Sequence, residues 1–248
     1  MHNHQYDNEI VDLNVILERY ERKVTPFERF FLRSPFSIVT VVARIKGNIS
    51  ENMLKDAVIK AQQRHHNLRV RIKEDEKHNP WFTSDNIKNI PIVIIKRLSE
   101  DHWIDVHKEF SKAPFEFNER PAIRFILVNS LEISELIILC HHVICDGLSL
   151  AYLARDILSY LGNPEINVET LPDPTPIDLN NLPKNVSMNM IVKFFINRMN
   201  KKWLKDQIYF DQEDYENINE AYWMKANHKI FSIEFSETQT TTLVKRCR

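Results

Sequence analysis

Gly47, Gly147 and Gly162 are the only glycines among 248 residues, and that scarcity constrains the chain more than any other feature. Average usage is about 7%. Dinucleotide fingerprints and phosphate loops need clustered glycines to bring backbone N–H groups against a pyrophosphate. Three scattered glycines exclude both. Lys plus Arg number 33 against 34 Asp plus Glu, a net charge of −1. So even a balance argues against a protein whose main partner is a polyanion such as nucleic acid. Cys140, Cys145 and Cys247 are too unevenly spaced for a disulfide framework or a zinc knuckle. The polar, acidic start MHNHQYDNEIVD is not a signal peptide, and no apolar run reaches about 18 residues, the length of a membrane span. The expected setting is cytoplasmic.

Hydrophobic periodicity divides the rest. Ile10, Leu13, Ile16, Leu17 and Tyr20 predict a helix over 9–22. Thr25-Pro26-Phe27-Glu28 is a capping box with proline at the first helical position, opening a brief helix whose Phe27, Phe30 and Phe31 are expected in the core. The β-branched run 36–45 predicts a strand. Gly47 turns it, and Ser50 caps a helix with Met53, Leu54, Ala57, Val58 and Ala61 on one face. Strands are expected around 68–73, 81–82, 90–95, 123–128 and 136–140, with helices over 100–112 and 148–161, the latter ended by Gly162. Prolines and Asp/Asn dominate 163–185 and mark a linker. Beyond it the pattern predicts a helix near 186–205, a strand over 229–235 and a helix opened by the Ser236–Gln239 capping box.

One constellation carries chemistry. His141-His142-x-x-x-Asp146-Gly147 sits where an apolar strand ends and a helix begins, a place where a rigid scaffold presents a loop to a ligand. Imidazole accepts a proton near neutral pH without tuning, and so serves as a general base. A nearby carboxylate holds a loop or a ring in place, and glycine admits a close approach. Three other readings stand beside this one. The histidines are buried structural groups with Asp146 capping the next helix. His141 or His142 ligates a metal with Asp146, although no third ligand offers itself. Or Cys145 is a nucleophile served by His142. General-base duty is preferred, and no metal is expected.

The HHxxxDG signature in a strand–loop–helix setting resembles the acyltransferase superfamily that depends on CoA or carrier proteins. That group takes in nonribosomal peptide condensation domains, polyketide-associated acyltransferases, alcohol O-acetyltransferases and chloramphenicol acetyltransferase. Arg64-His65-His66-Asn67-Leu68-Arg69 resembles its RHxxLR element. Ala113-Pro114-Phe115-Glu116-Phe117 with Pro121 and Arg124 resembles its PFDL…PLxR segment, with Phe117 and Ala122 departing from the pattern.

The resemblance implies an α+β fold: a chloramphenicol-acetyltransferase-like two-layer lobe of mixed sheet and helices, with a second, similar lobe incomplete. Residues 1–162 would be the N-terminal lobe, 163–185 the linker and 186–248 the beginning of the C-terminal lobe, so that a truncated chain is expected. His142 would be the catalytic base, supported by His141, Asp146, Gly147 and Arg64. Asp146 would pair with Arg64, with Arg69 or Arg44 in reserve, and Gly147 would keep a substrate channel open. The implied reaction moves an acyl group from acyl-CoA to the hydroxyl or amine of a small acceptor, with no bound cofactor. The alternatives are a donor thioester carried by the phosphopantetheine arm of an acyl carrier protein, or a silent relative used for binding.

Overall fold

The computed structural model describes residues 19–172, 189–203, 205, 209–226, 229–230 and 233–247. Most of the predicted first helix lies outside these residues, and its described end is not helical. Glu21–Lys23 is a short strand, β1. The capping box then forms as expected and opens α1 over Pro26–Phe31. Strand β2 spans Ile38–Lys46 and helix α2 Glu51–Arg64. A 3-10 turn over His66–Arg69 occupies the start of the strand expected at 68–73, leaving β3 as Arg71–Glu74. There follow β4 (Pro80–Thr83), β5 (Ile92–Lys96), α3 (His102–Lys112), β6 (Ile123–Asn129), β7 (Ile133–His141) and α4 (Gly147–Gly162). Three further helices, α5 (Met190–Trp203), α6 (Gln212–Lys225) and α7 (Glu237–Arg246), complete the described residues. Gly162 is the last residue of α4 and is not left-handed; among the glycines only Gly47 is, at φ +106°. The described part of 229–235 forms no strand.

Strand order in the larger sheet is β2-β7-β6-β5. β7 runs antiparallel to both neighbours, while β5 and β6 are parallel and so need the crossover through α3. β6 and β7 read as continuous apolar runs because both faces are covered, and their alternation sorts the side chains. Phe125, Leu127, Leu136, Ile138 and Cys140 enter the larger core with Leu54, Val58, Leu150 and Ile157 of α2 and α4. Ile126, Val128, Ile137 and Leu139 meet Val106 and Phe110 of α3 on the other side. At one end of β7 the buried carboxylate of Glu135 is bracketed by Arg97 at 2.9 Å and Arg44 at 3.2 Å.

A smaller sheet, β1-β4-β3, supports α1. Arg22 of β1 lies over the Phe82 ring and forks onto both Glu28 carboxylate oxygens, at 2.6 and 2.8 Å. Glu28 also receives the Thr25 backbone N–H that closes the capping box, at 2.8 Å. One carboxylate therefore fixes both the start of α1 and its attachment to the sheet.

The beginning of the expected linker is laid against α2. Arg64 donates to the Glu169 carbonyl, Thr170 to that of Gln63, and Lys60 to that of Pro164. The remainder of that segment, 173–185, lies outside the described residues. Helix α6 docks onto the loop after α3: Asn219 donates to the Lys112 carbonyl, Gln212 to that of Phe115, and Tyr215 is buried.

Leu136 is fully buried in the larger core and Leu131, in the turn before β7, is 83% exposed. Leu136→Ala is expected to cost about 2–5 kcal/mol, and Leu131→Ala within about 0.5 kcal/mol of nothing. Urea unfolding midpoints of the two variants check the assignment of β7 to the core.

Candidate active site

Consecutive residues of a strand point to opposite faces, and the two histidines divide at the point where β7 gives out. His141, the last residue of β7, is fully buried. Its Nε2–H donates to the Ser34 carbonyl at 3.0 Å, and its Nδ1 accepts the Val143 N–H at 3.2 Å. These partners fix one neutral tautomer. Phe117 and Phe115 set their ring edges or faces against it at 4.8 and 5.7 Å. Burial, opposed by the bond to Ser34 and reinforced by neighbouring His142, pushes the His141 imidazole down to about 4.

His142 is held by its backbone and left free at its ring. Its N–H donates to the Ser37 carbonyl at 2.8 Å, and its ring stacks on Phe31 with centroids 4.1 Å apart and planes 7° from parallel. Among the described residues neither ring nitrogen has a hydrogen-bond partner, and neither is sealed from solvent. The segment from Phe31 to Ser37 thus cradles both histidines. It turns at Arg33, whose φ of 61° is unusual for a side chain of that size. Phe31 joins the candidate site through its ring, where the sequence pattern predicts a core residue. Of the three aromatics expected in the core, Phe27 and Phe30 are exposed, and Phe31 packs on the catalytic candidate. The signal was present in the capping box, since a helix of under two turns has no length to bury several rings.

Asp146 does not meet an arginine. It is exposed and caps α4, its Oδ1 accepting the Ser149 N–H at 2.8 Å. That bond, more than any nearby charge, holds its carboxyl below the usual range. The expected Arg64 pair is made instead with Asp156, well inside α4, at 2.9 Å. Asp156 also accepts from His65 at 3.0 Å and from Arg155 at 2.9 Å. Burial alone would raise this carboxyl, but its three donors hold it low. The two reserve arginines are engaged elsewhere: Arg44 with Glu135, and Arg69 with His66 Nδ1 at 2.8 Å.

The three matched segments nevertheless converge. Asn67 of the RHHNLR element donates to the Ile144 carbonyl inside the motif loop at 2.8 Å. Arg124 lies 4.2 Å over the Phe115 ring and donates to the Phe110 and Pro114 carbonyls, bracing the wall around His141. A cavity of ≈ 170 Å³ opens beside the loop, lined by His65, His66, Asn67, Cys145, Ser149 and Leu153 among others. His142 is not in that lining; its ring lies on the α1 side. The Cys145 thiol faces the His141 carbonyl at 3.9 Å rather than a histidine ring, which counts against a Cys145–His142 pair. Gly147 begins α4, and a Cβ placed there would meet nothing within 4 Å. Among the described residues no three His, Cys, Asp or Glu side chains gather as a metal site, and no helix is long and apolar enough to cross a membrane.

Comparison with known proteins bears on the family and the fold. A family model described as the Condensation domain matches residues 21–165. The chain is 27% identical over 125 residues to a dimodular nonribosomal peptide synthase of Bacillus subtilis, covering 50% of this chain and 5% of that protein. It is 25% identical over 122 residues to nonribosomal peptide synthetase agiA of Aspergillus flavus, covering 47% and 2%. Among solved structures it resembles the condensation domain of the monacolin K polyketide synthase MokA (TM-score 0.51, 10% identity, 61% of this chain and 36% of that one). A four-domain nonribosomal peptide synthetase bound to AMP and glycine gives TM-score 0.50 at 14% identity, over 62% of this chain and 13% of that one. At such identities the structures establish the fold. The chain spans only a small part of the length of the curated relatives.

Two outcomes follow from the site. Asp146→Ala should destabilise by about 1 kcal/mol, the worth of a helix cap, while Asp146→Asn should keep most of it; equal losses in both would favour a charge pair instead. His141 has an ordinary value of 6.5 and a folded value of about 4. The unfolded chain therefore binds more protons between these values. Stability should be full above the unfolded value and fall by roughly 3 kcal/mol as pH drops through that window. Urea midpoints of the native protein and of His141→Asn, measured across it, should show the slope in the first and a flatter line in the second.

Proposed function

This chain belongs to the condensation-domain family, and from that premise we propose that it takes part in acyl transfer from a carrier-bound thioester, with His142 as the base. The family is one of transferases that form amide or ester bonds. Of the two donors considered from the sequence, the carrier-protein thioester is favoured over free acyl-CoA. Its support is that the curated relatives reported above are nonribosomal peptide synthetases.

The observation that carries the reading is the ring of His142. Its backbone is pinned and its plane is set by Phe31, yet its nitrogens are uncommitted. In the proposed step, a ring nitrogen accepts a proton from the acceptor amine or hydroxyl as that group attacks the thioester carbonyl. The C–S bond then breaks, and the departing thiolate takes a proton back from the imidazolium. No acyl-enzyme is needed, because positioning two bound reactants and one base supplies much of the acceleration. His141 keeps the loop in shape. Arg64 acts one step further out, by tying α2 to α4 through Asp156. Gly147 leaves open space beside the loop, room for a pantetheine arm or an acceptor. In this reading residues 1–162 are the first lobe, 163–185 the connection, and 186–248 the opening of the second.

The test uses the complete protein and follows thiol release from an acylated carrier protein and from acyl-CoA in parallel. His142→Ala should lower kcat by about 10²–10⁴, with its urea midpoint little changed. Unaltered turnover would remove His142 from the chemistry, and strict preference for CoA would reverse the choice of donor.

A further inference from the structure

Cys140 and Cys145 flank the two histidines, and the spacing that excludes a disulfide framework leaves this one pair for the fold to place. Cys140 precedes His141 near the end of β7 and is fully buried. Cys145 follows the motif loop and is half-buried. Between them the chain reverses: the His141 carbonyl accepts the Ile144 N–H at 3.1 Å, which closes a turn with one cysteine on either side. That same oxygen lies 3.7 Å from Cys140 Sγ and 3.9 Å from Cys145 Sγ. Both cysteines also line the ≈ 170 Å³ cavity beside the loop. Burial, and after it the neighbouring Cys145 thiol, pushes the Cys140 thiol well above its ordinary value. The third cysteine, Cys247, is exposed at the end of α7.

Two thiols that share one oxygen and one cavity have few uses. Metal binding needs further ligands, and among the described residues no three His, Cys, Asp or Glu side chains gather. Packing accounts for Cys140, since a free cysteine behaves as a small hydrophobe in a core. It does not account for a second thiol half-exposed at a cavity wall. A reachable thiol beside a resolving one is the arrangement in which a sulfenic acid condenses to a disulfide. We infer that Cys145 and Cys140 are a peroxide-responsive pair that closes a reversible disulfide across the motif loop. In the first step the Cys145 thiolate attacks an oxygen of hydrogen peroxide. The S–O bond forms, the O–O bond breaks, and the departing hydroxide takes up the proton that Cys145 gave. The Cys140 sulfur then attacks the sulfenic sulfur, the S–S bond forms, and the leaving hydroxide takes the Cys140 proton as water. Two thiols are oxidised by two electrons, and one peroxide is reduced to two waters. Cys140 is packed on all sides, so closure draws Cys145 and the loop toward β7, and the new ring encloses His141 and His142. The inference is independent of the chemistry assigned to His142.

The experiment treats the 248-residue chain, carrying Cys247→Ser to remove the exposed thiol, with hydrogen peroxide in mildly alkaline buffer. Free thiols are then alkylated under denaturing conditions, and the tryptic peptide that holds both cysteines, residues 125–155, is weighed. It should be unalkylated and lighter by two hydrogen atoms, and dithiothreitol should restore both thiols. Adding Cys145→Ser should abolish the loss of the Cys140 thiol, because a buried thiol is out of the oxidant's reach. Adding Cys140→Ala should leave Cys145 as a sulfenic acid that dimedone traps. If that core variant fails to fold, the cross-link in the parent chain still decides the matter. Cys145 driven to sulfinic acid beside an intact Cys140 thiol, or a cross-link formed only between chains, would overturn the proposal. So would peroxide that leaves both thiols free, or a Cys145→Ser chain that loses its Cys140 thiol as fast as the parent.

Discussion

The constraint on which the rest of the structure depends is the burial of β7 on both faces. A strand covered by α2 and α4 on one side and α3 on the other has no solvent in which to park a polar side chain. Any such residue at its end must find partners from protein. His141 stands at that end, and both of its ring nitrogens are satisfied by backbone groups, one from Ser34 and one from Val143. The Val143 contact folds the chain sharply back on itself. That turn places the next side chain, His142, on the side away from the core. A fully packed strand and a solvent-reachable imidazole are thus two consequences of one chain reversal.

What holds the outward ring in place is assembled from distant parts of the sequence. Phe31 reaches it because α1 is short and anchored, and α1 is anchored because Glu28 closes a capping box while accepting two bonds from Arg22. Charge-assisted, bidentate bonds of this kind add geometric specificity to their energy. Asn67 ties the end of α2 to the motif loop, and Asp156 gathers Arg64, His65 and Arg155 around the α2–α4 contact. Positioning in this site is therefore spread over β1, α1, α2 and α4, whereas the residue offered for chemistry is one.

Local chemistry was legible in the sequence, and partner choice was not. The boxes at Thr25 and Ser236 and the cap at Ser50 could be read directly, because a cap is a contract between residues three apart. β6 and β7 were visible as apolar runs. The partner of Asp146 was not visible, because several arginines carry the same charge and only the packing of α2 on α4 decides that Arg64 faces Asp156. Asp146 itself obeyed the local rule, that of a residue preceding a helix. Phe31 was misplaced for a related reason: hydrophobicity says that a ring seeks cover, not whether the cover is a core or another ring. Glu21–Lys23 became a strand because β4 was there to pair with it, a long-range fact with no local sign.

The letters of the motif thus do different kinds of work, and this bears on what the motif means. His141 answers a demand of the fold. Asp146 answers a demand of α4, which any good cap would meet. Gly147 has a backbone conformation open to other residues and empty space where a side chain would go, so nothing within the described residues requires it to be small. For His142 the fold asks for a backbone donor to Ser37 and a flat ring against Phe31; tyrosine or phenylalanine would supply both. The imidazole nitrogens are the part of that side chain which the structure leaves unused. A group that folding does not need, held in a fixed orientation and reachable by solvent, is what a general base requires.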